Sequence, residues 1–209
     1  MSGRLDNQRM SDDGTLARVC GPDDLDRVVE ILAGAFYDDP TWAWAFPDPA
    51  LRAEQQRRMF RLYVEGAARY PSVWLNADAT ATAVWVPPGG SEMSEEQAAL
   101  VEPLLVEMLG DDAPRVLALV EAFEEAHPHD VDHYYLTLLG TDPAHRGTGA
   151  GLRLLEDTLQ LADDDRRPAY LEASNPVNIA LYERYGFAPY QTFSVPHGPT
   201  VTTMWRDPR

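Results

Sequence analysis

Tyr134-Tyr135-Leu136-Thr137-Leu138-Leu139, followed by Gly140-Thr141-Asp142-Pro143-Ala144-His145 and then Arg146-Gly147-Thr148-Gly149-Ala150-Gly151, decides how the chain is read. The apolar run Tyr134 to Leu139 is short enough to be a strand buried on both faces. Beyond the glycines, Leu152, Leu155, Leu159 and Ala162 fall at helical spacing, so a strand feeds a helix through a glycine-rich turn. Such a helix start presents unpaired backbone N–H groups beside the positive end of the helix dipole. That is a pocket for a phosphate.

Two glycine patterns compete for this stretch. The dinucleotide fingerprint wants Gly-x-Gly-x-x-Gly directly after a strand, with an acid about 20 residues on. Glu172 lies near that distance, but Leu152 stands where the third glycine belongs, and the Thr141 to His145 loop separates strand from glycines. The better fit is Arg146-x-x-Gly149-x-Gly151, which resembles the acetyl-CoA pyrophosphate loop of the GNAT superfamily of N-acyltransferases. A second short strand, Ala169 to Ala173, leads into Asn175-Pro176-Val177-Asn178-Ile179-Ala180-Leu181-Tyr182-Glu183-Arg184-Tyr185-Gly186-Phe187. This is similar to the GNAT pattern Asn-x-x-Ala-x-x-Leu-Tyr-Glu-x-x-Gly-Phe, departing from it at Asn178, where a small residue is usual. The stretch from Leu171 through Gly198-Pro199 resembles the puromycin N-acetyltransferase branch in particular.

The resemblance implies an α/β fold with a mixed central sheet of about seven strands flanked by helices. Its two core strands would splay at their C-terminal ends to admit acetyl-CoA as co-substrate. The implied reaction is direct acetyl transfer to a primary amine of a small molecule, such as an aminonucleoside-like antibiotic or metabolite. A protein amine is the nearer alternative, and a non-catalytic acyl-CoA-binding module the more distant one. Leu139, Gly140, Thr141, Arg146, Gly147, Thr148, Gly149, Ala150, Gly151, Asn175 and Asn178 would then hold the co-substrate. Tyr182 would be the general acid, because an ordinary tyrosine stays protonated at neutral pH and is ready to donate to a departing thiolate. Glu172, near the end of its strand, would be the base that frees the amine of its proton, directly or through a water. Tyr185 goes to the core.

The acceptor side is read from Tyr37-Asp38-Asp39-Pro40-Thr41-Trp42-Ala43-Trp44-Ala45-Phe46-Pro47, a loop dense in aromatics and acids. In the resemblance this segment lines the acceptor pocket. Trp42 and Trp44 would hold a flat or apolar body, and Asp38 or Asp39 an ammonium group. The alternative is that these rings cap the core and Asp39-Pro40 makes a turn. Tyr135 joins the acceptor set, with Tyr134 and His133 in reserve.

At 209 residues the chain suits one domain with an insertion. Residues 1–14 read as a disordered tail, 15–207 as one acetyltransferase domain, and 88–131 as a helical insertion between the third and fourth strands, broken at Pro103 and at Gly110. A formal charge of −17, without a single lysine, argues against a nucleic-acid partner and is compatible with steering a cationic amine. No apolar run approaches a membrane span, and the polar N-terminus lacks a secretion-type core, so no membrane partner and a cytoplasmic location are expected. Cys20, the one cysteine, reads as a buried structural thiol. His127, His129 and His133 with Asp130 and Asp132 straddle a loop without clear ligand spacing, so no metal is expected. Between monomer and homodimer the sequence does not choose.

Overall fold

The computed structural model describes residues 8–10 and 16–209. One mixed sheet runs through them: β1 (Gln8–Met10), β2 (Leu16–Val19), β3 (Val73–Asn76), β4 (Ala81–Val86), β5 (Tyr134–Thr141), β6 (Ala169–Ala173), β7 (Ala188–Ser194) and β8 (Thr200–Arg206). Their spatial order is β1-β2-β3-β4-β5-β6-β8-β7. Only β5 and β6 are parallel, joined by the crossover helix α6 (Ala150–Asp164). The sheet is as expected apart from β1, which lies within the stretch read as a disordered tail. Gln8 to Met10 pair with Arg18 to Leu16, covering an edge of backbone that would otherwise be open. The rest of that tail, 1–7 and 11–14, lies outside the described residues.

Side chains alternate across the sheet as the two-residue strand period requires. Val73, Leu75 and Val84 face one layer, made by α1 (Leu25–Phe36), α2 (Pro40–Ala45), α3 (Arg52–Ala67), α4 (Glu95–Leu109) and α5 (Ala113–Ala126). Trp74, Ala81, Ala83 and Trp85 face the other, where α6 buries Leu154, Leu155, Leu159 and Ala162. The insertion thus completes the α1–α3 layer. Helices on both sides explain why every residue of β4 is buried.

Two further local readings are corrected, and a third feature, invisible in the sequence, is added. The aromatic loop contains α2: Asp39 caps it, and Pro40 fills the first helical position, where its missing N–H costs nothing. Helix α4 runs unbroken through Pro103, with only Val101 and Leu105 buried; its start is fixed by a Ser94–Gln97 capping box. The third is in β5. Leu138 stands opposite Val84 but Leu136 stands opposite Trp85, so Thr137 is the extra residue of a β-bulge. The bulge sends Leu138 and Leu136 to opposite faces, although they are two residues apart.

Past the bulge the core strands part. Pairing of β5 with β6 covers Tyr134 to Leu136 against Ala169 to Leu171 and ends there. Leu138 to Thr141 keep only β4 as a partner strand, while Glu172 and Ala173 keep only β8. The open end faces the glycine turn.

Candidate active site

Three connected cavities pass through this opening. A groove of about 580 Å³ lies beside the glycine turn, bounded by Leu139 and Thr141, by Arg146 to Leu152, by Asn175 to Tyr182, and by Ala35 to Asp39. A cavity of about 590 Å³ lies at the other end, among the loop after β4, α4, α5 and the 127–133 segment. A narrow neck of about 70 Å³ joins them. Phe36, Leu139, Asn178 and Tyr182 line both neck and groove; Tyr63, Glu92, Phe123 and Tyr135 line both the neck and the 590 Å³ cavity, the vestibule.

The groove is made by backbone. Gly147 and Gly149 both sit at φ 80°, the left-handed region that disfavours side chains, and Gly149 is the N-cap of α6. A Cβ on Gly151 would stand 2.5 Å from Thr141 Oγ1, so glycine is what lets the helix start press against the end of β5. The result is a concave helix N-terminus, the arrangement that favours a phosphate. Arg146 lines the groove too, but one Nη2 donates to the Gly34 and Ala35 carbonyls at 3.1 and 2.9 Å, pinning the turn to the end of α1.

The neck is made by side chains. Tyr182, on the short helix α7 (Ile179–Glu183), packs edge-on to Phe187. Burial, then the charge of Asp39, push its hydroxyl up to about 12, so it holds its proton throughout the physiological range. Glu172 comes off β6 with Oε1 buried and without a hydrogen-bond partner. Burial first, then the charge of Glu92, push its carboxyl up to about 8, against the pull of the Tyr135 and Tyr170 hydroxyls. Burial likewise pushes Glu92 up to about 7, against the Thr137 and Tyr135 hydroxyls. The site therefore contains a protonated phenol and two carboxylates near their titration points at neutral pH, which suits proton transfer to and from a bound reactant.

A model of the acetyltransferase (GNAT) family matches residues 74–187, more than half of the chain and all of the groove-forming turn. The chain belongs to the GNAT family of acetyltransferases. Among solved structures, it is similar to one described as histone acetyltransferase HPA2 and related acetyltransferase from Corynebacterium glutamicum. Identity is 26%, with 92% of this chain and 96% of that one covered at a TM-score of 0.68. The polyamine N-acetyltransferase of Drosophila melanogaster shares the fold at 16% identity, covering 92% of this chain and 99% of that one, TM-score 0.64. The arylalkylamine N-acetyltransferase 2 of Aedes aegypti does so at 15% identity, 93% and 99% coverage, TM-score 0.62. GNAT enzymes are acyltransferases that use acetyl-CoA, and the groove fits it: the helix start of α6 offers N–H groups where the glycines leave room for a pyrophosphate.

Within this GNAT site the sequence-derived residues divide. Leu139, Thr141, Arg146, Gly147, Gly149, Ala150, Gly151, Asn175 and Asn178 line the groove. Gly140 instead faces α1, where a Cβ would press on Leu32 and Ala35, and Thr148 uses its hydroxyl to close the turn onto His145 O. Tyr182, Glu172 and Tyr135 meet at the neck. The aromatic segment is scattered. Trp42 lines the neck, packed among Phe36, Phe46 and Phe60. Asp38 and Asp39 lie on the groove side, away from the vestibule. Asp39 is committed as a cap: Oδ1 accepts from the Thr41 and Trp42 N–H groups, and Oδ2 accepts from Ser174 Oγ at 2.8 Å. Trp44 lines none of the three cavities. Its indole N–H donates to His197 O at 2.9 Å beneath the Arg115 guanidinium, tying α2 to α5 and to the β7–β8 turn.

Glu92, Tyr63, Phe123 and Thr137 escaped the sequence reading. The histidines pack as rings against one another and against Tyr135 and Tyr170. Burial, then the neighbouring imidazoles, push His127 down to about 4. No grouping of three or more metal-ligating side chains occurs among the described residues. Burial pushes the Cys20 thiol up to about 12, which leaves it inert at neutral pH. No helix among the described residues is long and apolar enough to cross a membrane.

Proposed function

We propose that the protein transfers acetyl from acetyl-CoA directly to the primary amine of a small molecule, with Glu172 as base and Tyr182 as acid. The observation that carries this is the neck. A buried carboxylate with an unpartnered oxygen and a buried phenol line one small chamber, reached from the glycine groove on one side and from a second cavity on the other. Acetyl-CoA would occupy the groove, its pyrophosphate at the start of α6 and Arg146, and its thioester at the open end of β5 near Leu139 to Thr141. The amine would enter through the vestibule. Glu172 takes a proton from the ammonium, the nitrogen attacks the acetyl carbon, the C–S bond breaks, and Tyr182 protonates the leaving sulfur.

A small-molecule acceptor is favoured by the vestibule's volume of about 590 Å³, which is within the range of small-ligand pockets. Amines of the kinds named for the similar structures, polyamines and arylalkylamines, are the first to try. An aminonucleoside-like acceptor is supported by the sequence from Leu171 to Pro199, which resembles the puromycin N-acetyltransferase branch. The test is thiol release by the purified protein from acetyl-CoA, with and without each amine. Amine-dependent release supports the reading; acetyl-CoA binding without release from any amine would leave an acyl-CoA-binding module. We place the protein in the cytoplasm, acting as a monomer or homodimer on a free metabolite.

A further inference from the structure

We propose that Glu92 is a second catalytic carboxylate, which receives the substrate ammonium at the neck and works with Glu172 as one proton-accepting pair. The proposal rests on the acetyltransferase reading and adds a residue to it. Glu92 lines both vestibule and neck, whereas Glu172 lines the neck alone, so an amine coming through the vestibule meets Glu92 first.

Among the described residues no cation lines the neck, although His127, His129 and His133, with Asp132, line the vestibule that Glu92 also borders. Tyr63 faces the pair from α3, Tyr135 and Thr137 from β5, Tyr170 from β6 and Glu124 from α5. Two neighbouring carboxylates buried without a counter-ion do not both ionise, because each charge loses its solvation and repels the other. Such a pair holds one proton and one negative charge and titrates as a unit. A cation arriving between them supplies the missing partner, and Glu172 Oε1, buried and without a hydrogen-bond partner, is placed to meet it. The structure also holds Glu92 in position from below. A Cβ on Gly66 would overlap the Glu92 carbonyl, so the loop rests directly on the α3 backbone. Arg69 Nη2 donates to Ser91 O at 2.7 Å, and Ser91 N–H donates to the Tyr70 hydroxyl at 3.2 Å.

In this scheme the singly charged pair takes one proton from the ammonium and becomes neutral. The freed nitrogen forms the C–N bond, the C–S bond breaks, and Tyr182 gives its proton to sulfur. The nitrogen's surplus proton restores the Tyr182 hydroxyl, and the pair's extra proton leaves with product, which balances the release of one proton per turnover.

The experiment is a pH titration of the full chain, labelled with 13C at the glutamate carboxyls and followed by NMR, for wild type, Glu92→Gln, Glu92→Asp and Glu172→Gln. Two carboxyls should titrate above the ordinary glutamate range, and Glu92→Gln should remove one and return the other toward that range. Titration of Glu172 unmoved by Glu92→Gln overturns the proposal. For an amine that wild type acetylates, chosen from tryptamine, phenethylamine, agmatine and spermidine, Glu92→Gln should lower kcat/KM about 10²-fold or more. The KM for acetyl-CoA should stay unchanged, the acidic limb of the pH profile should move to lower pH, and Glu92→Asp should restore part of the rate. A wild-type profile in Glu92→Gln overturns the proposal. Failure of wild type to release thiol with every amine defeats the acetyltransferase reading instead, and the NMR titration still decides the pair.

Discussion

The groove and the vestibule open onto the same neck but are built from different material. The groove is mostly main chain: left-handed glycines, a helix N-terminus and a strand end, supplied by the run Leu139 to Leu152 and by Asn175 to Tyr182, with Ala35 to Asp39 closing one side. The vestibule is side chain: Tyr63 from α3, Glu92 and Met93 from a loop, Val101 from α4, Phe123 from α5, and His127 and His133 from the segment before β5. A backbone cradle recognises a phosphate, whose charge and shape are fixed. In the proposed reaction the wall of side chains is what meets the amine, and each segment contributes independently. The contrast predicts that damage on the two sides separates into co-substrate binding and acceptor chemistry.

The neck, where the two sides meet, should show the largest effect. Tyr182→Phe should lower turnover about 10²–10⁴-fold while leaving acetyl-CoA affinity roughly unchanged, as read by steady-state thiol release. Unchanged turnover would remove Tyr182 from the acid role. On the vestibule side, Gly66→Ala must displace the Glu92 carbonyl that rests on it. Misplacement of about 1 Å costs about 10²-fold in rate, so turnover should fall by that order while acetyl-CoA still stabilises the fold. Loss of acetyl-CoA binding in this variant would blur the division. On the groove side, Gly151→Val pushes a side chain into Thr141 Oγ1. The stabilisation of about 2.7 kcal/mol given by acetyl-CoA at a hundred times its Kd should then vanish from thermal unfolding curves.

The smallest effect is the dependence of unliganded stability on pH. The Glu172 carboxyl lies near 4.5 when unfolded and is pushed up to about 8 by burial and by Glu92. Its contribution is therefore complete below about pH 4.5 and lost as pH rises through 8. His127 runs the other way. Its value falls from 6.5 to about 4, so its contribution is lost as pH drops through that interval. Thermal unfolding should find wild type losing ground to Glu172→Gln between about pH 4.5 and 8, and a parallel course would contradict the burial argument.

The two sides also differ in how far the sequence exposes them. Arg146, Gly149 and Gly151 carry the groove because a phosphate cradle must be made of neighbouring residues, and neighbours in space are then neighbours in the chain. Tyr182 and Glu172, which we propose as acid and base, lie one strand and one turn further along and stood out as candidates for the same reason. Glu92, which lines the neck, did not stand out, since Ser91-Glu92-Met93 has no pattern of its own and its loop is seated by Gly66 of α3. The Thr137 bulge is hidden in a run that reads as unbroken strand, and only its pairing with Val84 and Trp85 reveals it. Helix α2 could have been read from Asp39-Pro40, a cap followed by proline at the first helical position; the density of rings beside it suggested a pocket wall instead. Of those rings Trp42 and Phe46 pack inward, against each other and, for Trp42, against Phe60.

The division of labour is tested most directly by hydrogen–deuterium exchange of the purified protein with saturating acetyl-CoA. Amides from Leu139 to Leu152 and from Asn175 to Tyr182 should be protected, while those from Pro87 to Met93 and from His127 to His133 exchange as before. Protection concentrated in the latter two segments, or absent from the glycine turn, would contradict the placement of the co-substrate and the two-sided channel with it.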